Sequence, residues 1–208
     1  MKPKFLNVGG GSKAVAIPSY YSAFEHLLLD IDPRGNPDIV CDARLLATRP
    51  ADEFDAIYCS HNLEHYYRHD VPRVLSGFHH VLKADGFAEI RVPDLQLLMA
   101  TVVEKKLDID DILYKSGMGP IAVRDVIYGY GREIEQSGQD FYAHKTGFSH
   151  KSLTKVLLAS GFKFVLSGGG RGYEIVAYAF KGKPTPAHEK LLGFSVQALE
   201  KKAAAAAT

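Results

Sequence analysis

The sequence predicts an α/β fold: a mostly parallel sheet with helices packed on it and an antiparallel hairpin at one edge. Three observations carry this. Five short apolar runs come early in the chain, as expected for strands covered on both faces. Helical-period stretches then join the rhythm, which implies parallel pairing. The last two runs are separated only by Gly168-Gly169-Gly170-Arg171-Gly172, a turn suited to a hairpin.

In chain order, the expected strands are Lys4–Val8, His26–Ile31, Pro37–Cys41, Phe54–Cys59, Phe87–Val92, Lys163–Ser167 and Tyr173–Phe180. A helix is expected over Asp70–Ala84, where Val71, Val74, Leu75, Phe78, Val81 and Leu82 recur at helical spacing. A second is expected over Asp94–Lys105. A third covers Ser149–Ser160, with Ser149 as N-cap and Gly161 at its end. Residues 106–148 fall outside the rhythm. They carry six glycines and many aromatics, and a long irregular insert of this kind reads as a lid or substrate cap. Residues 1–180 thus form one domain with that insert inside it. The tail, 181–208, reads as a linker, a weak helix and a disordered Ala-rich end.

Composition narrows the function. The 208 residues suffice for a sizeable core. A formal charge of +1, with no dense Lys/Arg stripe, leaves no footprint for a nucleic-acid backbone. Cys41 and Cys59 sit in apolar runs and read as reduced core residues. No run approaches a membrane span and no signal core follows Met1, so the expected location is cytoplasmic. The edge hairpin and the tail leave a homodimer open.

The chemistry is expected at Phe5-Leu6-Asn7-Val8-Gly9-Gly10-Gly11 and Leu27-Leu28-Leu29-Asp30-Ile31-Asp32. Glycines directly after a buried strand allow a sharp turn and close approach of a ligand. A carboxylate at the tip of the next strand can accept hydrogen bonds from a ribose diol. Strand, glycine turn, strand and acid together suit a nucleoside.

The order of these pieces, continued by Asp42-Ala43-Arg44, by Phe54-Asp55-Ala56-Ile57-Tyr58-Cys59-Ser60-His61 and by Val81-Leu82-Lys83-Ala84-Asp85-Gly86-Phe87, resembles the motif series of class I S-adenosylmethionine-dependent methyltransferases. The likeness spans roughly residues 4–94 plus the closing hairpin. It implies a Rossmann-like, seven-stranded sheet with one antiparallel strand, and S-adenosylmethionine as cofactor. Carried over by position, it puts Gly9, Gly10 and Gly11 under the methionine portion and Asp30 on the ribose. Ile31 would pack on adenine, Asp42 would accept from its amine with Ala43 alongside, and Ser60 and His61 would face the transferred methyl. Two departures stand out: Asn7 replaces the family's acid, and Ser12-Lys13 follows Gly11 where a further glycine is usual. The stretch before Asp30 is too irregular for a full crossover helix and resembles a subgroup in which that helix is shortened to a loop.

The acceptor side is expected at Phe141-Tyr142-Ala143-His144-Lys145-Thr146-Gly147-Phe148, with His144 as the candidate general base and Tyr142 as a second catalytic candidate that could line the pocket. A small-molecule or glycan-type acceptor follows from that reading. A catalytically silent, cofactor-binding interaction module is the alternative. His61-Asn62-Leu63-Glu64-His65 also fits the H-x-x-E-H pattern of inverted zincins, but the sequence shows no third ligand, so no metal is expected. A nicotinamide-binding fold is disfavoured because no clean helix follows the glycines to meet a pyrophosphate.

Overall fold

The computed structural model describes residues 2–117 and 119–197. A seven-stranded sheet runs in the order β3-β2-β1-β4-β5-β9-β8. Its strands are β1 (Lys4–Val8), β2 (Glu25–Asp30), β3 (Ile39–Val40), β4 (Phe54–Ser60), β5 (Leu82–Pro93), β8 (Phe164–Gly169) and β9 (Glu174–Phe180). The five N-terminal strands pair in parallel, and β9 runs antiparallel to both β5 and β8. The expected fold class is therefore the observed one. Strand order reverses between β1 and β4, and ligands of such sheets sit outside the carboxyl ends of the strands at that switch point.

One face of the sheet packs under α1 (Val71–Val81) and α5 (His150–Ala159). Val74, Leu75, Phe78 and Val81 of α1 are fully buried there, the stripe their spacing predicts. The other face has no crossover helix, because Pro18 and the aromatic run after it make only a 3-10 turn, Ser19–Ala23. Tyr21 stacks on Phe5 with ring centroids 4.5 Å apart and covers the sheet instead. Leu191, Leu192 and Phe194, from α6 (Pro186–Leu192) and the residues after it, complete this second core. The weak tail helix is thus packed against the sheet rather than trailing from it. The Ala-rich end lies outside the described residues.

Residues 106–148 differ from the irregular insert expected. They fold into a hairpin, β6 (Ile112–Ser116) and β7 (Gly119–Ala122), followed by α3 (Val123–Tyr128) and α4 (Gly131–Ser137). The glycines mark the breaks: Gly129 ends α3 at φ +96° and Gly138 ends α4 at φ +65°. Ile121, Val123 and Val126 pack with Leu98 of α2 (Leu95–Lys105) into a small separate core. Among the described residues, no helix is long and apolar enough to cross a membrane.

Candidate active site

A cleft of about 410 Å³ opens at the carboxyl ends of β1, β2 and β4, opposite the insert. Its floor is the glycine turn. Gly9 sits at φ +70°, and a Cβ there would fall 2.0 Å from the Asn62 side chain, so only glycine fits. Gly11, at φ +66°, has nothing within 4 Å of its would-be Cβ, which leaves the backbone open to a ligand. The Gly9 amide donates to the Leu29 carbonyl at 2.8 Å. The Gly11 amide donates to Asp30 Oδ2 at 2.9 Å, and the Asp32 amide to Asp30 Oδ1 at 2.9 Å. Asp30, 8% exposed, therefore fixes the glycine turn and its own strand end together. Ile31 beside it is 45% exposed, an apolar face turned into the cleft.

Two Asp-x-Arg corners form the outer wall. Asp32 caps the turn Pro33–Gly35 and Asp42 caps the turn Ala43–Thr48, each accepting the amide of the arginine two residues on. Arg34 and Arg44 then fold back and chelate the same carboxylate through their guanidinium groups. The Arg34 hydrogen bonds hold the Asp32 carboxyl well below the ordinary range. At Asp42 burial works the other way, but Arg44 prevails and the pKa is again lowered. The first corner reaches the insert: the Tyr142 hydroxyl donates to Asp32 Oδ2 at 3.0 Å and accepts from Arg34 Nη2 at 3.0 Å. The second reaches the start of α1, where Arg44 Nη1 meets Asp70 Oδ2 at 3.2 Å.

The inner end of the cleft is a chain of charged groups. His61 leaves β4 at φ +49°, its amide donating to the Arg91 carbonyl at 2.9 Å. Its ring lies between two carboxylates, Glu64 Oε1 at 3.4 Å and Glu174 Oε2 at 3.4 Å. Loss of hydration opposes the charge on that ring, but Glu174 and Glu64 outweigh it and raise its pKa to about 10. Arg91 extends the chain from Glu174 to the fully buried Glu89, which also accepts from the Tyr20 and Tyr21 hydroxyls.

Of the residues expected at the site, Gly9, Gly11, Asp30, Ile31, Asp42, His61 and Tyr142 line the cleft. Gly10, Ala43, Ser60 and His144 are not among its lining residues. Ala43 is fully buried in the core, and a Cβ on Gly10 would strike Asn7 at 2.4 Å. His144 points away, its Nδ1 3.0 Å from the Val126 carbonyl, and burial lowers its pKa. His61 and His65 do not share a helix face, since Leu63–His65 is only a 3-10 turn. Sequence reasoning passed over Arg34 and gave no role to Asn62, Arg44 and Lys145, although these lie in the stretches it singled out; all four line the cleft. The repeated Asp-x-Arg spacing is the one signal that pointed to the arginines.

A family model described as a methyltransferase domain matches residues 2–167. No curated protein matches the sequence. Among solved structures, the chain is similar to a SAM-dependent methyltransferase from Archaeoglobus fulgidus, with a TM-score of 0.52 and 14% identity over 86% of each chain. It is also similar to the 1,6-didemethyltoxoflavin-N1-methyltransferase of Burkholderia thailandensis, whose structure holds S-adenosylhomocysteine, with a TM-score of 0.50 and 15% identity over 88% of this chain and 72% of that one. A third is the CMeT domain of the citrinin polyketide synthase, with a TM-score of 0.51 and 12% identity over 88% of this chain. The chain spans only 47% of that structure.

Proposed function

The chain belongs to the methyltransferase domain family, and on that premise we propose that it transfers the methyl group of S-adenosylmethionine to a small-molecule or glycan-type acceptor, with residues 106–148 as the cap over the acceptor. The observation that supports this best is the meeting of Gly9, Gly11, Asp30, Ile31 and Asp42 around one cleft. Their chemistry fits the cofactor. Gly11 leaves room for close approach, and Ile31 offers an apolar face to a base. Each oxygen of Asp30 accepts one amide and keeps a lone pair for a ribose hydroxyl. Asp42 is held ionised as an acceptor for an exocyclic amine. The two arginines of the wall are occupied by their own aspartates, and no α-helix follows the glycine turn, so a pyrophosphate finds little to hold it.

When bound, S-adenosylmethionine supplies an electrophilic methyl group on a positively charged sulfur. The chain's own part is to align the acceptor and exclude water, which is most of what an in-line displacement needs. His61 carries a proton at neutral pH and cannot take another, and both its ring nitrogens are already engaged by Glu64 and Glu174, so it orders the inner end of the cleft and does not act as the base. Burial and the Asp32 hydrogen bond raise the Tyr142 pKa to about 12, so its hydroxyl stays protonated and braces the cap. His144, the expected base, is reachable by an acceptor only if the insert shifts.

Calorimetric titration of the full chain with S-adenosylmethionine, S-adenosylhomocysteine and NAD tests the reading. One-to-one binding of the two sulfur nucleosides and none of NAD is expected. Ile31→Asp removes only an exposed side chain, so it leaves the fold intact while weakening binding at least tenfold, about 1.4 kcal/mol. Absence of binding by folded protein overturns the proposal. Binding without turnover across a broad acceptor panel replaces it with the silent cofactor-binding module.

A further inference from the structure

We infer that Glu64, His65 and His144 form a binding site for one divalent transition-metal ion, Zn²⁺ or a metal of similar preference, at the seam between the loop after β4 and the insert. The inference stands apart from methyl transfer and begins from an anomaly of burial. Glu64 is 1% exposed, yet neither of its carboxylate oxygens has a hydrogen-bond donor. A carboxylate buried in that state is costly unless a cation compensates it. The protonated His61 ring compensates part of that charge, but it is shared with Glu174 and reaches only Oε1, at 3.4 Å, so Oε2 stays without a hydrogen-bond partner.

The two histidines are arranged for the missing ion. Nδ1 of His65 lies 3.1 Å from the Ala143 carbonyl, and Nδ1 of His144 lies 3.0 Å from the Val126 carbonyl. A carbonyl only accepts, so Nδ1 of His144 carries the hydrogen and its Nε2 is left with a lone pair, whereas the His65 ring meets a carbonyl at each nitrogen and gives up one of these contacts to ligate the ion. Metal-bound histidines are commonly oriented by this same backbone contact. Nε2 of His144 faces Glu64 Oε1 at 3.9 Å, so two electron-rich atoms confront each other with nothing between them. One ligand atom from each of Glu64, His65 and His144 can be chosen so that all lie within 4.8 Å of one another. Nε2 of His65 also lies 3.2 Å from the His61 carbonyl, and loading exchanges that contact for the ion.

Two imidazoles and one carboxylate suit zinc and its neighbours and poorly suit Mg²⁺ or Ca²⁺, which favour oxygen-rich shells. His65 also lines the cleft, which gives the ion a path of entry. This is a different set from the one the H-x-x-E-H pattern suggested. His61 drops out, since each of its ring nitrogens faces a carboxylate, and His144 enters from 79 residues beyond His65. The site also gains a structural role. The Glu64 carbonyl already accepts the Lys145 and Thr146 amides at 2.8 and 3.1 Å, and an ion would add a second clasp between cap and sheet.

The test loads the metal-stripped full chain with Co²⁺ and reads its visible d–d bands, then displaces it with Zn²⁺. One Co²⁺ per chain is expected, with bands of a low-coordinate site and a thermal midpoint that rises with Zn²⁺ concentration, as linkage requires. His144→Ala and Glu64→Gln should each weaken Co²⁺ binding at least tenfold, while His69→Ala, at an exposed ring outside the cluster, should not change it. If either variant fails to fold, NMR of the unaltered chain decides: Co²⁺ should broaden the His65 and His144 rings before those of His69 and His150. No Co²⁺ or Zn²⁺ binding by the unaltered chain, unchanged binding in folded His144→Ala, or first broadening at His69 or His150 would each overturn the inference.

Discussion

Behind the glycine turn, Leu6, Ala56, Ile57, Leu75 and Phe78 are all at 0% exposure, whereas the insert faces the same cleft with Phe141, Tyr142 and Lys145, none of them fully buried. The strand-end wall is held by a continuous core and parallel ladders on both sides. The insert is anchored away from the cleft by its small core with Leu98 and by Phe148, but at the cleft it meets the sheet side through polar contacts: Tyr142 on Asp32, the Lys145 and Thr146 amides on the Glu64 carbonyl, and the Ala143 carbonyl against His65. The difference separates two tasks. On the proposed function, the strand-end wall would keep its shape between turnovers while the cleft-facing edge of the insert opens to admit an acceptor, and polar contacts there break at a lower cost than a packed core.

The comparison breaks most visibly under truncation. Phe78→Ala should destabilise the chain by about 3–5 kcal/mol because α1 and the sheet close tightly around it. Phe141→Ala, on the cap, should cost about 1 kcal/mol or less. Urea unfolding of the two variants measures the ratio, and similar losses would mean that cap and sheet share one core. A smaller effect is expected at the seam. Tyr142→Phe removes the hydroxyl bridging Asp32 and Arg34, so cap amides around Ala143 should exchange with solvent faster by an amount worth about 1 kcal/mol. Global stability should be nearly unchanged, and hydrogen exchange by mass spectrometry reads both quantities.

The smallest effect concerns pH. The folded Asp32 pKa lies well below that of an unfolded aspartate, so its contribution is complete above about pH 4 and is lost as pH falls through the folded value. Cap protection, corrected for intrinsic exchange, should therefore stay level from pH 7 down to pH 4 in the unaltered chain. Asp32→Asn should show reduced protection across that whole range. A decline in the unaltered chain beginning above pH 5 would place the control in another group.

Much of the strand-end wall was legible in the sequence. The run Lys4–Val8, the glycines after it and Asp30 at the next strand end all lie within a few residues of one another, and local rules of turn and burial govern them. The shortened first crossover was legible too, through Pro18. The hairpin and two helices of the insert were not, because its glycines read as irregularity when they in fact punctuate short elements. Nor was the docking of α6 foreseeable. Its apolar residues find a partner only because the missing crossover helix leaves that face of the sheet to Tyr20, Tyr21 and Phe24.

By itself the sequence determined the fold class, the family likeness and the position of the glycine turn and its acid, since periodicity and turn chemistry act over a few residues. Tertiary structure alone decided that Tyr142 meets Asp32 across 110 positions and that His144 faces Glu64 across 80. Such contacts are written in no local pattern. They follow from where the sheet's packing leaves two distant loops, and from the need of a buried charge for a partner.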